Sequence, residues 1–201
     1  MRIPAGMLLL VCISTIAQAQ PDWSGKVYSI GKIYPGYYIT NANDTINGYF
    51  VHGTQTGNQK KCFFYKNETD RKHSNEFAPD DIKEYKVADK LYRSIPYSGG
   101  LLAKPLRFNL INKDGPIREY VFYHEDGSGG SDVVFHKPHD ASNSKPVSLP
   151  DFGLGFAKKV SAYVSDYPEL SKKVADKEKG YGMLKILGII AEYNQWVLSK
   201  K

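Results

Sequence analysis

The spacing of apolar residues changes once along the chain, and this change constrains the fold more than any other feature. Up to His136, short runs of apolar and β-branched residues are separated by turn residues, which is typical of antiparallel strands. From Phe152 onward, apolar residues recur every three or four positions, which predicts helices. This order predicts an α+β fold: an antiparallel, strand-rich N-terminal part covered by two or three C-terminal helices.

Turn and capping residues place several elements within this outline. The pattern predicts a strand over 26–33, a turn at Pro35-Gly36, and a tight hairpin over 106–124 with its reversal at Asp114-Gly115. A short helix is expected to open at Asp166-Tyr-Pro-Glu169, where an acid follows a capping residue. The last helix is expected over 181–199, with a broad apolar stripe facing the core.

The first nineteen residues have the pattern of a secretory signal peptide. Arg2 supplies a positive charge, residues 7–16 form an apolar run, and Ala17-Gln-Ala19 is a small-residue cleavage site. This run is too short to remain as a membrane span. We therefore expect an exported protein, secreted or periplasmic, with no integral span after cleavage. The mature chain is expected to be one domain with strand-rich, connector and helical parts at 20–136, 137–150 and 151–201.

The cysteine content argues against a disulfide-stabilised domain, and the charge distribution argues against a nucleic-acid-binding protein. Cys12 lies in the signal sequence, so Cys62 is left without an intramolecular disulfide partner, and we expect it to be a buried, unreactive thiol. The net charge of +6 is spread along the chain. Nucleic-acid-binding proteins usually concentrate their basic residues on one face or arm, so we do not expect DNA or RNA as a partner.

Four motifs carry a resemblance to a known family. They are Tyr38-Ile-Thr with Asp44-Thr-Ile-Asn-Gly48, Phe77-Ala-Pro-Asp-Asp-Ile-Lys-Glu-Tyr85, Asp166-Tyr-Pro-Glu-Leu170 and Ile189-Ile-Ala-Glu-Tyr-Asn194. In this order they resemble an uncharacterised secreted domain common in Bacteroidota, which is sometimes found ahead of an outer-membrane β-barrel. The resemblance implies the envelope of a Gram-negative cell. It implies no catalytic residues.

One group of metal-ligating residue types stands close together in sequence. His136, His139 and Asp140 could hold zinc through two imidazoles and a carboxylate. No third strong ligand lies at a diagnostic spacing, so the pattern favours a polar loop over a metal site. No cofactor is expected either, because Gly153-Leu-Gly155 lacks the third glycine and the preceding strand of a dinucleotide site.

Tyrosine is the unusual component of the composition, with 15 copies against 9 Phe and 2 Trp. Tyrosine suits half-exposed sheet faces and binding surfaces, because its ring packs while its hydroxyl stays hydrated. A recognition surface is predicted at four tyrosines near the start of the mature chain, namely Tyr28, Tyr34, Tyr37 and Tyr38. Packing of the core explains these four equally well.

Three functions are compatible with these features. The first is a non-enzymatic envelope protein that binds another envelope component, since no set of residues forms a recognisable catalytic group. The second is a hydrolase of envelope glycans or peptides that uses Glu125 and Asp126, or a zinc ion at His136 and His139. The third is carbohydrate binding without catalysis, which requires two or three aromatic rings on one exposed face.

Overall fold

The computed structural model of the chain describes residues 28–69, 72–99, 105–140 and 145–200. The predicted signal sequence lies outside the described residues. The ten strands are β1 (Ile33–Thr40), β2 (Thr45–Val51), β3 (Cys62–Tyr65), β4 (Ser74–Phe77), β5 (Ile82–Val87), β6 (Lys90–Ile95), β7 (Arg107–Lys113), β8 (Arg118–Tyr123), β9 (Ser131–His136) and β10 (Val147–Ser148). The helices are α1 (Gln55–Lys60), α2 (Leu149–Phe152), α3 (Phe156–Tyr163), α4 (Pro168–Ala175) and α5 (Ile186–Ser199).

All ten strands belong to one antiparallel sheet in the order β10-β9-β8-β7-β6-β5-β1-β2-β3-β4. It contains two meanders, β1 to β4 and β5 to β10, because each strand in these series pairs with the next along the chain. The pairing of β1 with β5 joins them, with Tyr38 opposite Tyr85. The mixed fold with dominant antiparallel strands and C-terminal helices agrees with the prediction.

The N-terminal half of the sheet curls strongly. In a flat sheet β4 and β5 would lie four strand spacings apart, about 19 Å, yet the chain joins them through residues 78–81. The five steps from Phe77 to Ile82 span at most about 18 Å when fully extended, and here they include a turn, with the Asp81 N–H donating to the Ala78 carbonyl. The sheet must therefore bend to bring β4 towards β5. The rings of Tyr38 on β1 and Phe77 on β4 accordingly meet at 4.8 Å between centroids.

The concave face of this curl is filled with aromatic side chains. Phe50, Phe64 and Tyr85 are at most 3% exposed and belong to one cluster with Ile82 and Tyr92. The turn between β4 and β5 therefore places Ile82 and Tyr85 in this core. The cluster also contains Cys62, which is buried as predicted, and burial raises the pKa of its thiol.

The predicted turn at Pro35-Gly36 is wrong, because β1 runs through both residues without a break. Pro35 pairs with Tyr49 across the β1–β2 ladder, and the Pro35 carbonyl accepts from the Ala88 N–H at 2.9 Å. Glycine is needed at 36 for a close approach of strands and not for a reversal. A Cβ there would lie 1.8 Å from the Lys86 carbonyl oxygen on β5.

The predicted hairpin around Asp114-Gly115 is confirmed as β7 and β8. Both ends of β8 are held by side-chain amides from helices. Gln59 of α1 donates from Nε2 to the Tyr123 carbonyl at 2.9 Å and accepts from the Tyr123 N–H at 2.5 Å. Asn194 of α5 makes the equivalent pair of bonds to Ile117, at 2.8 and 2.7 Å. These amides satisfy backbone groups that the neighbouring strands leave unpaired.

The C-terminal helices start at different residues from those expected. The predicted connector 137–150 includes β10 and the start of α2, and α5 begins at Ile186, after glycines at 180 and 182 and a 3₁₀ turn over Met183–Lys185. Pro168 opens α4 as predicted, but Tyr167 is its N-cap residue. Residues of α3, α4 and α5 share one buried cluster with Phe135 of β9. That these helices cover the sheet stays a prediction. Across the described residues, no helix is long and apolar enough to cross a lipid bilayer.

Candidate functional site

Three tyrosines lie on the convex face of the curled sheet. Side chains alternate between the two faces of a strand, so Tyr37 points away from the side on which its neighbour Tyr38 joins the aromatic core. Tyr49 precedes the buried Phe50, and Tyr65 follows the buried Phe64, which puts both on the same convex face. Tyr49 and Tyr65 are direct partners across β2 and β3. The pairing of β1 with β2 therefore brings Tyr37 beside this pair.

A groove of about 500 Å³ runs beside these rings, and we call it the tyrosine groove. It is lined by ten residues, namely Pro35, Gly36, Tyr37, Asn47, Gly48, Tyr49, Lys66, Asn67, Lys86 and Ala88. Its size lies within the range of small-ligand sites. Gly36 and Gly48 are direct partners in the ladder, and both line the groove. The exposed side chains of Asn47, Lys66 and Asn67 supply hydrogen-bonding groups.

Tyr37 is half-buried in the sheet. Burial against the sheet, followed by the nearby negative charge of Glu84, raises the pKa of the Tyr37 phenol. The phenol is therefore neutral in the physiological range. Its ring stays half-exposed, which suits a surface against which a ligand packs.

The structure separates the four tyrosines predicted as a recognition surface. Tyr37 alone lines the tyrosine groove. Tyr38 packs in the aromatic core, with its ring 5.0 Å from that of Phe64. Tyr34 packs against the same core, and Tyr28 meets it edge-on at 5.1 Å between centroids. Tyr28, Tyr34 and Tyr38 thus serve internal packing, which is the alternative explanation that the sequence left open.

Most of the groove was not predicted from the sequence. Neither Asn47 nor Tyr49 is among the residues that the sequence predicts for a site. The alternation through 47–51 indicates that Asn47 and Tyr49 share a face opposite Phe50, so this part of the signal was available. Lys66 and Asn67 come from another strand end, and only the pairing of β2 with β3 brings them to the groove.

A second cavity, of about 820 Å³, lies where the sheet meets α5, and we call it the junction cleft. Its polar centre is Lys137, which is 6% exposed. The Lys137 ammonium lies 2.9 Å from an oxygen of Asp140 and 2.8 Å from one of Asp166. Tyr193 of α5 donates to the other Asp166 oxygen at 2.5 Å. This network ties the end of β9 to the connection between α3 and α4.

The charges of the junction cleft make its groups poor catalysts. Burial alone would lower the pKa of Lys137, but hydrogen bonds to Asp140 and Asp166 outweigh burial and raise it. Lys137 is therefore protonated and cannot act as a nucleophile or base at neutral pH. Burial, and then the hydrogen bond to Asp166, raises the pKa of Tyr193 to about 12. The network therefore has a structural role.

The three residues considered for zinc are not brought together in the way a metal needs. Asp140 is engaged with Lys137, and His139 lines the junction cleft. His136 lies on β9, with its ring 6.3 Å from that of Tyr120. Within the part of the chain that the structure describes, no three His, Cys, Asp or Glu side chains form a group that could hold a metal ion.

The residues considered for hydrolysis line a small cavity of about 400 Å³ together with His124 and Asp132. Glu125 is bound by Lys60 at 3.1 Å and by Arg107 at 3.0 Å. Burial would raise the pKa of Glu125, but these two cations outweigh burial and lower it. A hydrogen bond from Ser128 lowers the pKa of Asp126. Both carboxyls are therefore ionised, and neither is suited to the role of general acid.

Comparison with protein-family models, with curated proteins and with solved structures gives no match to this chain. The resemblance to the Bacteroidota secreted domain therefore stays a prediction. The geometry of the described residues is what distinguishes the tyrosine groove, the junction cleft and the cavity at Glu125.

Proposed function

We propose that this chain is an exported, non-enzymatic binding domain of the cell envelope that holds a glycan in the tyrosine groove. The observation that carries this proposal is the placement of Tyr37, Tyr49 and Tyr65 on one face of the sheet. Carbohydrate binding without catalysis requires two or three aromatic rings on one exposed face, and this face supplies them beside a groove.

The chemistry of the groove matches that of a sugar ring. A pyranose has an apolar face of C–H groups and a rim of hydroxyls. Half-exposed phenol rings offer an apolar surface to the C–H face. The amides of Asn47 and Asn67 can both donate hydrogen bonds to the hydroxyls and accept hydrogen bonds from them. Lys66 adds a cation for a carboxylate or acetyl oxygen. An exposed groove of this kind admits an internal segment of a long chain.

The state of the titratable groups supports binding over catalysis. A glycoside hydrolase uses two carboxyls, of which one is kept protonated by a raised pKa. The pKa values of Glu125 and Asp126 are both lowered, and each carboxylate is held by other groups of the protein. The lysine of the junction cleft is likewise paired with two carboxylates.

The cellular setting is part of the same proposal. The signal-like pattern of residues 1–19 and the single mature cysteine support export of a domain that folds without disulfides. We also propose that the C-terminal helices cover one end of the sheet. The buried cluster that Phe135 and Ile117 share with α3, α4 and α5 supports this arrangement.

The test is a titration of the protein with a panel of soluble oligosaccharides, namely oligomers of N-acetylglucosamine, glucose, mannose and galactose. We expect at least one series to bind, and Tyr49→Ala to weaken that binding by about tenfold or more, which corresponds to about 1.4 kcal/mol. Tyr28→Ala is the matched control, because this tyrosine packs outside the groove.

Two results would count against the proposal. One is that no member of the panel binds to the wild-type protein. The other is that Tyr49→Ala binds as tightly as Tyr28→Ala while both variants keep their stability. Slow cleavage of a bound oligosaccharide that Glu125→Gln abolishes would instead favour the hydrolase.

A further inference from the structure

Four apolar side chains stand unusually exposed in the helical part of the chain. Leu184 and Leu154 are 98% and 91% exposed, and Met183 and Leu187 are both 43% exposed. Leu154 lies in the short link between α2 and α3, Met183 and Leu184 lie in the 3₁₀ turn before α5, and Leu187 lies in the first turn of α5. Single exposed leucines are common on protein surfaces, but a group of them on one side marks an interaction surface.

Met183 lines a cavity of about 750 Å³, to which Gly155 also contributes. Leu154 and Leu184 are the sequence neighbours of these two lining residues. The interior of the cavity is mostly apolar and includes Phe156 and Tyr181. We call the cavity with its exposed leucines the leucine patch.

Four lysines lie in the segments that form the leucine patch. Lys158 and Lys177 line its cavity, while Lys179 and Lys185 belong to the segment that carries Leu184. Among the described residues, none of these four lysines has a carboxylate partner within ion-pair distance, whereas the nearby Lys173 is paired with Glu192 at 3.1 Å. The stretch 153–159 contains no acid, and the stretch 177–187 contains only Glu178. The patch therefore carries a local positive charge.

We propose that the leucine patch docks this protein onto an anionic lipid surface. Protruding leucines can insert among the acyl chains near the headgroups, while the surrounding lysines meet lipid phosphates. A second copy of the chain is a poorer occupant, because a symmetric contact would oppose two sets of unpaired lysines across an apolar centre. The tyrosine groove is built from β1, β2 and the end of β3. Attachment through the leucine patch would therefore leave it free for a ligand.

The test is co-sedimentation of the exported form of the protein with vesicles. Vesicles of phosphatidylglycerol and phosphatidylcholine in equal parts are compared with vesicles of phosphatidylcholine alone. We expect binding to the anionic vesicles that falls as salt is added, because exposed charges are screened. Replacing Lys158 and Lys185 with Gln should weaken this binding by about fivefold for each lysine. Replacing Leu154 and Leu184 with Ser should weaken it by more than about tenfold.

Matched controls lie in the segment just before β1. Ile30→Ser removes an apolar side chain that is 67% exposed, and Lys32→Gln removes an exposed cation. Neither should change vesicle binding. Equal binding to both kinds of vesicle, or no binding to either, would overturn the proposal. So would a dimer in light scattering that the two Ser substitutions dissociate, or capture by a soluble acidic protein in the absence of any vesicle binding.

Discussion

The contact between Gln59 and β8 offers a sharp test of how the curled sheet is held together. The Gln59 side chain is fully buried, and its amide satisfies both the N–H and the carbonyl of Tyr123. Gln59→Leu keeps a side chain of similar size and removes both hydrogen bonds. The substitution therefore leaves two backbone groups in a partly buried position without their protein partner.

The cost follows from the number of groups affected. A buried backbone group that loses its hydrogen bond lowers the free energy of unfolding by about 1–3 kcal/mol. Because water partly reaches the two groups, we expect a loss of about 3 kcal/mol for both together. Urea unfolding followed by circular dichroism measures this difference. For a domain of this size, the loss corresponds to a fall in Tm of about 10 °C.

Gln195→Leu is the control for this prediction, because it makes the same chemical change at an exposed position of α5. We expect the control to change stability by no more than about 0.5 kcal/mol. If Gln59→Leu costs less than about 1 kcal/mol, or no more than the control does, the buried amide does not hold the end of β8 as argued.

Two further substitutions test the backbone and the charges. Gly36→Ala should destabilise the protein by more than about 2 kcal/mol in urea unfolding, because its Cβ would lie 1.8 Å from a carbonyl oxygen. Gly188→Ala, in an open position of α5, should be neutral or stabilising by up to about 1 kcal/mol. The pKa of the Glu125 carboxyl is lower in the folded state than in the unfolded state. The ionised carboxylate therefore stabilises the fold at pH values above the unfolded-state pKa, and this stabilisation is lost as the pH falls through the folded-state pKa. Stability measured from pH 7 to 3 should therefore decline less steeply in Glu125→Gln than in the wild type, and identical slopes would contradict the ion-pair assignment.

Local chemistry made part of the fold predictable. The reversal at Asp114-Gly115 and the opening of α4 at Pro168 each depend on residues within a few positions of one another. At Pro35-Gly36 local reasoning failed, because those two residues resemble a turn when the rest of the chain is ignored. Glycine is needed at 36 because β5, forty-odd residues further along the chain, passes close to the backbone of β1 at this position.

The candidate site was less predictable for the same reason. Tyr37 could be picked out as a surface residue, but its face of the sheet depends on pairing with β2 and β5. Lys66 reaches the groove only because β3 pairs with β2. The role of Lys137 was hidden as well, since Asp140 is three residues away but its second partner, Asp166, comes from the distant connection between α3 and α4.

Mapping a bound oligosaccharide by NMR tests the central claim most directly. The protein is labelled with nitrogen-15 and titrated with the oligosaccharide that binds most tightly in the panel. We expect the largest amide shifts at Gly36, Gly48 and Asn67, which line the tyrosine groove, with the signals near Lys137 unchanged. Shifts that cluster instead around Lys137 and Tyr193, with none in the groove, would contradict the account.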